Sequence, residues 1–341
     1  MTREVRQHMT KKQAVFKHSS YSRTGTAHTE RGKSCEDHVV TGCDPDTGVT
    51  GAVLCDGAGS CTYAREGAEA VAEAVLPTLI GMFDQFYEMP EDHAAENLLE
   101  EARAAVRRKA GELECSVQSL ACTMLCAALA PDGRYLFFHV GDGLIAAWDP
   151  KSGCRILSQY LHTIALNYTT FVTIPDTEYN FGRGCGHIGA FLLTSDGPEQ
   201  MLVQNGMLSE RAELLLQAGC LFSEERMQRE LNSITDQLQC EGMYDDASFA
   251  VVGNKHCARD LFRTMEPDLR SLLFFVPERS SRRVIDQLGS VFEILADHGG
   301  CISEKAMTRE LRTHSDSRTR IKLENLLAAG IITRENGKYY F

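Results

Sequence analysis

Five separate stretches of this chain place carboxylates beside apolar, strand-like runs. Ala52-Val53-Leu54-Cys55 delivers Asp56 into the glycine-rich turn Gly57-Ala58-Gly59-Ser60. Phe137-Phe138-His139-Val140 leads to Gly141-Asp142-Gly143, and Phe191-Leu192-Leu193-Thr194 leads to Ser195-Asp196-Gly197. In mirrored order, Asp245-Asp246 precedes Ala247 to Val252, and Glu36-Asp37 precedes His38 to Thr41. A carboxylate at the end of a buried strand stays ionised only if it is solvated, hydrogen-bonded or bound to metal. One Asp-Gly by itself reads as a turn. Five such segments converging on one pocket would repel each other unless cations compensated them. An oxygen-rich set with few histidines selects hard ions such as Mg²⁺ or Mn²⁺. Gly57 and Gly59 carry no Cβ, so the backbone there can turn sharply and bring a carbonyl to a ligand.

Other chemistries fit less well. Gly32-Lys33-Ser34 invites a phosphate-loop reading, but that motif needs glycine five residues earlier, where Ala27 stands. The cluster Gly182 to Gly186 lacks the strand-to-helix setting of a dinucleotide fingerprint and reads as a loop. Neither Cys-x-x-Cys nor His-Glu-x-x-His occurs, which argues against zinc. A formal charge of −12 opposes nucleic-acid binding by the whole chain. No apolar run approaches membrane-spanning length, and Met1 to Lys17 has no signal-peptide core, so no membrane association is expected. The thirteen cysteines are odd in number and scattered, several within apolar runs, as expected of reduced thiols in a cytoplasmic protein.

The elements that must position the acids can be read from periodicity. A segment around Ala14-Val15-Phe16 is either a flexible lead-in or an edge strand. Asp44 to Gly48 should join strands 38–42 and 49–55 as a hairpin. Ala64 to Phe86 has a helical period with Pro77 kinking it, and a second helix runs from Pro90 to about Lys109. Strands at 121–129, 135–140 and 144–148, joined by short turns, suggest an antiparallel meander. Further β-like runs are Phe171 to Ile174 and Ile188 to Leu193. Helices follow at 209–218 and 223–239, the second capped by Ser223. The strand 248–252 closes the domain. The tail changes texture: helices at 284–298, 303–313 and 315–329 precede a hairpin with an Asn336-Gly337 turn, the outline of a winged helix-turn-helix.

Taken in order, Glu36-Asp37, Asp56-Gly57-x-Gly59, Ala121-Cys122-Thr123, Gly141-Asp142-Gly143, Ser195-Asp196-Gly197 and Asp245-Asp246 resemble the motifs of the metal-dependent type-2C protein phosphatases. The resemblance covers roughly residues 20 to 253. Gly25-Thr26-Ala27-His28 before Cys35-Glu36-Asp37 looks most like a bacterial subgroup. It implies an α+β fold, a four-layer αββα sandwich of two antiparallel sheets flanked by helices, here followed by the small winged-helix-like domain. The expected divisions are a lead-in over 1–24, the phosphatase domain over 25–253, a linker over 254–283 and the tail domain over 284–341. In the implied centre Asp56 bridges two Mg²⁺ or Mn²⁺ ions, the Gly57 carbonyl completes one, and Asp196 and Asp245 bind the other. Glu36 and Asp37 contribute directly or through water, and Asp142 orients water or holds a weaker third ion. The implied reaction is hydrolysis of phosphoserine or phosphothreonine by direct attack of a hydroxide held between the metals, opposing a bacterial kinase.

The sequence also departs from the family pattern. Where members often carry a phosphate-gripping arginine four residues before the first acid, Gly32 stands, with Arg31 and Lys33 beside it; Lys33 is the candidate contact. The histidine that follows Asp-Gly in some members is Ala58 here, and His28 is the candidate acid in its place. His139, inside an apolar run, reads as a core histidine. Two alternatives follow: a pseudophosphatase, or a DNA-binding regulator whose metal domain is a sensor. The tail offers Lys305, Arg309, Arg312, Arg318, Arg320 and Lys322 to DNA or to a protein partner. Yet residues 284 to 341 balance eight basic against eight acidic side chains. The expected partners of the whole chain are thus a phosphoprotein, such as a kinase or its target, and a ligand of the tail.

Overall fold

A computed structural model describes residues 15–159, 169–265, 290–291, 293–295, 297–298, 300–311 and 323–340. In chain order the elements are β1 (Phe16–Arg23), α1 (Thr26–Glu30), β2 (His38–Cys43), β3 (Thr50–Cys55), α2 (Ala64–Gly81), α3 (Phe83–Glu88), α4 (Glu91–Leu113), β4 (Met124–Leu129), β5 (Arg134–Val140) and β6 (Leu144–Asp149). They continue with β7 (Gly153–Gln159), β8 (Asn180–Cys185), β9 (Ala190–Thr194), α5 (Asp196–Leu202), the short hairpin β10 (Val203–Gln204) and β11 (Met207–Leu208), α6 (Glu210–Leu221), α7 (Glu224–Cys240), β12 (Ala247–Asn254) and α8 (Ala258–Thr264).

Two antiparallel five-stranded sheets stack face to face, one in the order β1-β12-β9-β6-β7 and the other β2-β3-β4-β5-β8. Strand alternation explains the layers. In β3, Ala52 and Leu54 face the opposite sheet, where they meet Ile145, Leu193 and Val252. Val53 and Cys55 point outward, into a core shared with Val71, Val75 and Leu79 of α2 and Leu98 and Ala102 of α4. All six residues of β3 are buried, so its apolar run is continuous rather than alternating. The outer face of the first sheet is covered in the same way by Leu215 and Leu216 of α6 and Leu231 and Leu238 of α7. Removing one of these side chains, for example Leu54→Ala, costs ~2–5 kcal/mol.

Several expectations change. Of the two readings of the lead-in, the described part is the edge strand: every residue of β1 pairs with β12, from Phe16 opposite Asn254 to Arg23 opposite Ala247. The predicted meander is cut at Gly141-Asp142-Gly143. β4 and β5 pair within one sheet, while β6 crosses to the other and pairs with β7 and β9. Gly141 and Gly143 take φ of 96° and 98°, which is what lets the chain change sheets in so few residues. The Gly182 cluster is a strand, β8, and not a loop, whereas Phe171 to Ile174 forms a turn. The first long helix runs through Pro77 and breaks at Met82. Part of the expected linker is ordered as α8.

In the tail, β13 (Cys301–Ser303), the helix Glu304–Glu310, β14 (Thr333–Glu335) and β15 (Lys338–Tyr340) are described, with a sheet order β13-β15-β14. Asn336 and Gly337 both take positive φ, as an Asn-Gly hairpin turn requires. Arg312, Arg318, Arg320 and Lys322 of the expected basic face lie outside the described residues, as do most of helix 284–298 and the first half of helix 315–329. The tail buries Ile302, Met307, Leu326, Ile331 and Tyr339 in the same apolar core as α6 and α7.

Candidate metal centre

Strand register brings the five acidic segments to one edge of the sandwich. His38, just after Glu36-Asp37, pairs with Cys55, just before Asp56. Val140, two residues before Asp142, pairs with Met124, and Leu144, two residues after it, pairs with Thr194. Thr194 also faces Phe249, which places Asp196 and Asp245-Asp246 at the same end.

The backbone carrying these side chains is held by residues of little reactivity. Asp56 N–H donates to Thr123 Oγ1 (2.9 Å), and Thr123 N–H donates to the Asp56 carbonyl (2.8 Å). Gly57 N–H donates to the Glu36 carbonyl (3.3 Å). A Cβ on Gly57 would lie 2.6 Å from the Ala64 carbonyl at the start of α2, so only glycine fits that crossing. At the sheet switch, Gly143 N–H donates to Glu199 Oε2 (3.0 Å), while Glu199 Oε1 accepts from Gln159 (2.6 Å). Thr169 donates to Asp142 Oδ2 (2.6 Å). His139 is the core histidine expected of it: Nδ1 lies 2.7 Å from Ser158 Oγ, Nε2 donates to the Asp142 carbonyl (3.1 Å), and burial lowers its pKa.

The electrostatics are those of a site short of positive charge. Burial, followed by Asp37, Asp196 and Asp142, pushes the Asp56 carboxyl well up. Burial and then Asp142, Asp245 and Asp37 push Asp196 up to about 7. Asp37 is also pushed up to about 7, by burial and by Asp246. Both Asp37 oxygens and Glu36 Oε2 are buried without a well-formed hydrogen bond, although Ser195, Ser248 and Asp56 lie beside Asp37. Buried acceptors left open, among carboxyls that burial and neighbouring acids push up, fit a hard divalent cation.

Two candidates sit differently from their expected roles. Lys33 Nζ donates to Glu36 Oε1 (2.9 Å) and to the Gly59 carbonyl (3.2 Å), so two of its three donors are committed within the loop. His28 is turned inward between two carboxylates, with Nδ1 3.0 Å from Asp246 Oδ2 and Nε2 3.6 Å from Glu36 Oε2. Both ring nitrogens thus face carboxylates of the acid loops. Asp245, an expected ligand, is exposed, whereas its neighbour Asp246 is 2 % exposed and accepts from Gly25 N–H (2.7 Å) and Glu36 N–H (2.6 Å). His28, Asp245 and Asp246 offer ligand atoms within 4.8 Å of one another. The supporting roles of Thr123, Glu199 and Asp246 were not assigned from sequence. Asp246 and Thr123 lie within quoted motifs, but Glu199, three residues after Asp196, carried no signal.

A two-sheet sandwich with acidic strand ends gathered at one edge defines the class, and the comparisons give the family. The family model for protein phosphatase 2C matches residues 24–235, and the chain belongs to that family. Phosphatases of this family are metal-dependent. Among solved structures, the Staphylococcus aureus serine/threonine phosphatase Stp1 is similar at 15 % identity and a TM-score of 0.50, over 69 % of this chain and 94 % of that one. Two arginine-substituted variants of a bacterial serine phosphatase are similar at TM-scores of 0.51 and 0.50. The first is 14 % identical over 70 % of this chain and 97 % of its own; the second is 15 % identical over 71 % and 100 %. At these identities the likeness establishes the fold. No curated protein sequence matches the chain significantly.

Proposed function

We propose that the protein is a metal-dependent serine/threonine protein phosphatase of the bacterial type, acting in the cytoplasm against a protein kinase. The observation that carries this reading is the convergence of Glu36, Asp37, Asp56, Asp142, Asp196 and Asp245 on one edge, with buried oxygens left open. Asp56, Asp196 and Asp245, with the Gly57 carbonyl, would hold two Mg²⁺ or Mn²⁺ ions, with Glu36 and Asp37 on the inner side and Asp142 placed for a weaker third. When bound, such ions neutralise the carboxylates, acidify a water and offset phosphate charge during in-line attack.

The chain's own residues set the geometry. Thr123 fixes the direction of Asp56 from both sides of its peptide. Ser195 holds the Asp196 turn onto β12: its N–H donates to the Ser248 carbonyl (3.1 Å) and its Oγ accepts the Ser248 N–H (3.0 Å). Lys33 keeps one N–H for a phosphate oxygen at the rim, a weaker grip than a bidentate arginine would give. With Ala58 after the Asp-Gly, no side chain there can protonate the leaving oxygen, so that proton would come from water. The tail, packed on α6 and α7 away from the acidic edge, suits a regulatory or partner-binding role.

The test is phosphate release from phosphothreonine and phosphotyrosine peptides of the same sequence, with Mn²⁺ and with chelator. Release from the phosphothreonine peptide alone, abolished by chelator and restored by Mn²⁺, supports the reading. Absence of metal-dependent release from either peptide rejects it in favour of a pseudophosphatase.

A further inference from the structure

We propose that Asp246 and His28 form a positioning clasp that sets the metal affinity of the centre without touching substrate. This rests on the metal-centre reading above. Asp246 is among the most buried charged residues described, at 2 % exposure, and its two oxygens have separate duties. Oδ1 accepts the Gly25 N–H (2.7 Å), and Oδ2 accepts the Glu36 N–H (2.6 Å). His28 Nδ1 stands 3.0 Å from the same Oδ2, an ion-pair distance without hydrogen-bond geometry, and Nε2 lies 3.6 Å from Glu36 Oε2. One buried carboxylate therefore ties three pieces of chain together: the start of β12, the turn between β1 and α1, and the arrival of Glu36-Asp37.

The tie extends further through a single peptide. Glu36 gives its N–H to Asp246, while its carbonyl receives the Gly57 N–H (3.3 Å). The segment carrying Asp245 is thus linked through Glu36 to the segment carrying Asp56. Close packing leaves no slack on either side. A Cβ on Gly25 would fall 2.3 Å from the Asp245 carbonyl carbon, and one on Gly197 would fall 2.2 Å from the Asp246 carbonyl oxygen. Asp246 has both oxygens occupied by backbone donors and faces inward, so its charge serves the loops. Its neighbour Asp245 is exposed and its Oδ1 accepts the Asp246 N–H (2.9 Å), which fixes its carboxylate towards the edge. His28 stands between the Asp246 carboxylate and the Glu36 carboxylate, so that Glu36 is held through its backbone and has the imidazole packed beside its open Oε2.

Residues that orient metal ligands typically change metal affinity ~10–100-fold when altered. In His28→Leu both contacts are lost. His28→Gln can restore one of them. Asp246→Asn keeps the volume but turns an amide donor towards one of the two backbone N–H groups, breaking one arm of the tie. The experiment is calorimetric titration of the metal-free full-length protein with Mn²⁺, beside kcat on a phosphothreonine peptide at saturating Mn²⁺. We expect Kd for Mn²⁺ to rise about 10–100-fold in His28→Leu and in Asp246→Asn. His28→Gln should lie between His28→Leu and wild type, kcat should stay within about threefold, and the double variant should be no worse than the more affected single. The clasp is overturned if Kd in the folded variants stays within about twofold of wild type. It is equally overturned if kcat falls while Kd holds, since His28 would then act on the substrate. If Asp246→Asn does not fold, the two His28 variants decide alone. Wild-type protein that binds Mn²⁺ but releases no phosphate would refute the phosphatase reading and leave the clasp to the calorimetry. Wild-type protein that binds no Mn²⁺ refutes both.

Discussion

Charge is buried in two places in this protein and handled in opposite ways. At the seam between α7 and the tail, Arg226 is 6 % exposed, yet its guanidinium is satisfied from within. Nε donates to Glu230 (2.5 Å), Nη1 donates to the Ala329 carbonyl (2.9 Å), and the group lies 4.6 Å from the centroid of the Phe222 ring. Gly330 follows with φ of 65° and accepts the Ser223 N–H (2.8 Å), so the tail ends a helical turn directly on the start of α7. At the acidic edge, by contrast, Asp37 and Glu36 keep buried oxygens open, and burial together with neighbouring carboxylates holds Asp56, Asp37 and Asp196 above the usual carboxylate range. A buried charge that the fold completes is structural. One that the fold leaves incomplete is reserved for something that arrives later.

The sharpest way to break this contrast is to neutralise an acid at the open edge. Asp56→Asn or Asp196→Asn should lower phosphopeptide turnover by ~10³-fold, in line with removal of a principal electrostatic group from an active site. Thermal melting of the metal-free protein should not fall with it, because burial and neighbouring acids both disfavour the charge that is removed. Equal turnover in variant and wild type would move the chemistry elsewhere.

The next effect is one of pH. Asp37 and Asp196 titrate at about 7 when folded, against 3.8 as the reference value. Between those values the folded state holds the extra protons, so metal-free stability is greatest at low pH and is lost as pH rises through about 7. Melting temperature without metal should therefore fall between about pH 5 and pH 7.5, Asp37→Asn should flatten the fall, and Mn²⁺ at the upper end should reverse it. A melting temperature that rises over that interval would contradict the upward shift of these two carboxyls.

The signs that made this edge legible from sequence were local. An apolar run ending in Asp marks a strand end whatever the topology, and the Ser223 cap of α7 and the Asn336-Gly337 turn depend only on neighbouring residues. What was not legible depended on distant partners. The glycines of β8 read as a loop, yet they clear space for rings of β5: a Cβ on Gly182 would lie 2.4 Å from Phe137, and one on Gly184 would lie 2.6 Å from the Tyr135 hydroxyl. The sheet switch after β5 looks like any short turn until the register on both sides is known. Nor does an Asp-Asp pair reveal which carboxylate faces inward. That choice between Asp245 and Asp246 is made by the amides of Gly25 and Glu36, more than 200 residues away.

The smallest effect belongs to the closed seam. Arg226→Ala removes the donor to the Ala329 carbonyl and should cost about 1–3 kcal/mol, read as a lower urea midpoint. Mn²⁺ affinity and kcat should stay at wild-type values. A loss of Mn²⁺ affinity in this variant would show that the two regions are coupled and that the contrast between them is wrong.

The most direct measurement is anomalous diffraction at the manganese edge from crystals soaked in Mn²⁺. Density bounded by Asp56, Asp196 and Asp245 is expected, absent in Asp56→Asn crystals treated identically. Manganese bound elsewhere, with that edge empty in the wild type, would contradict it.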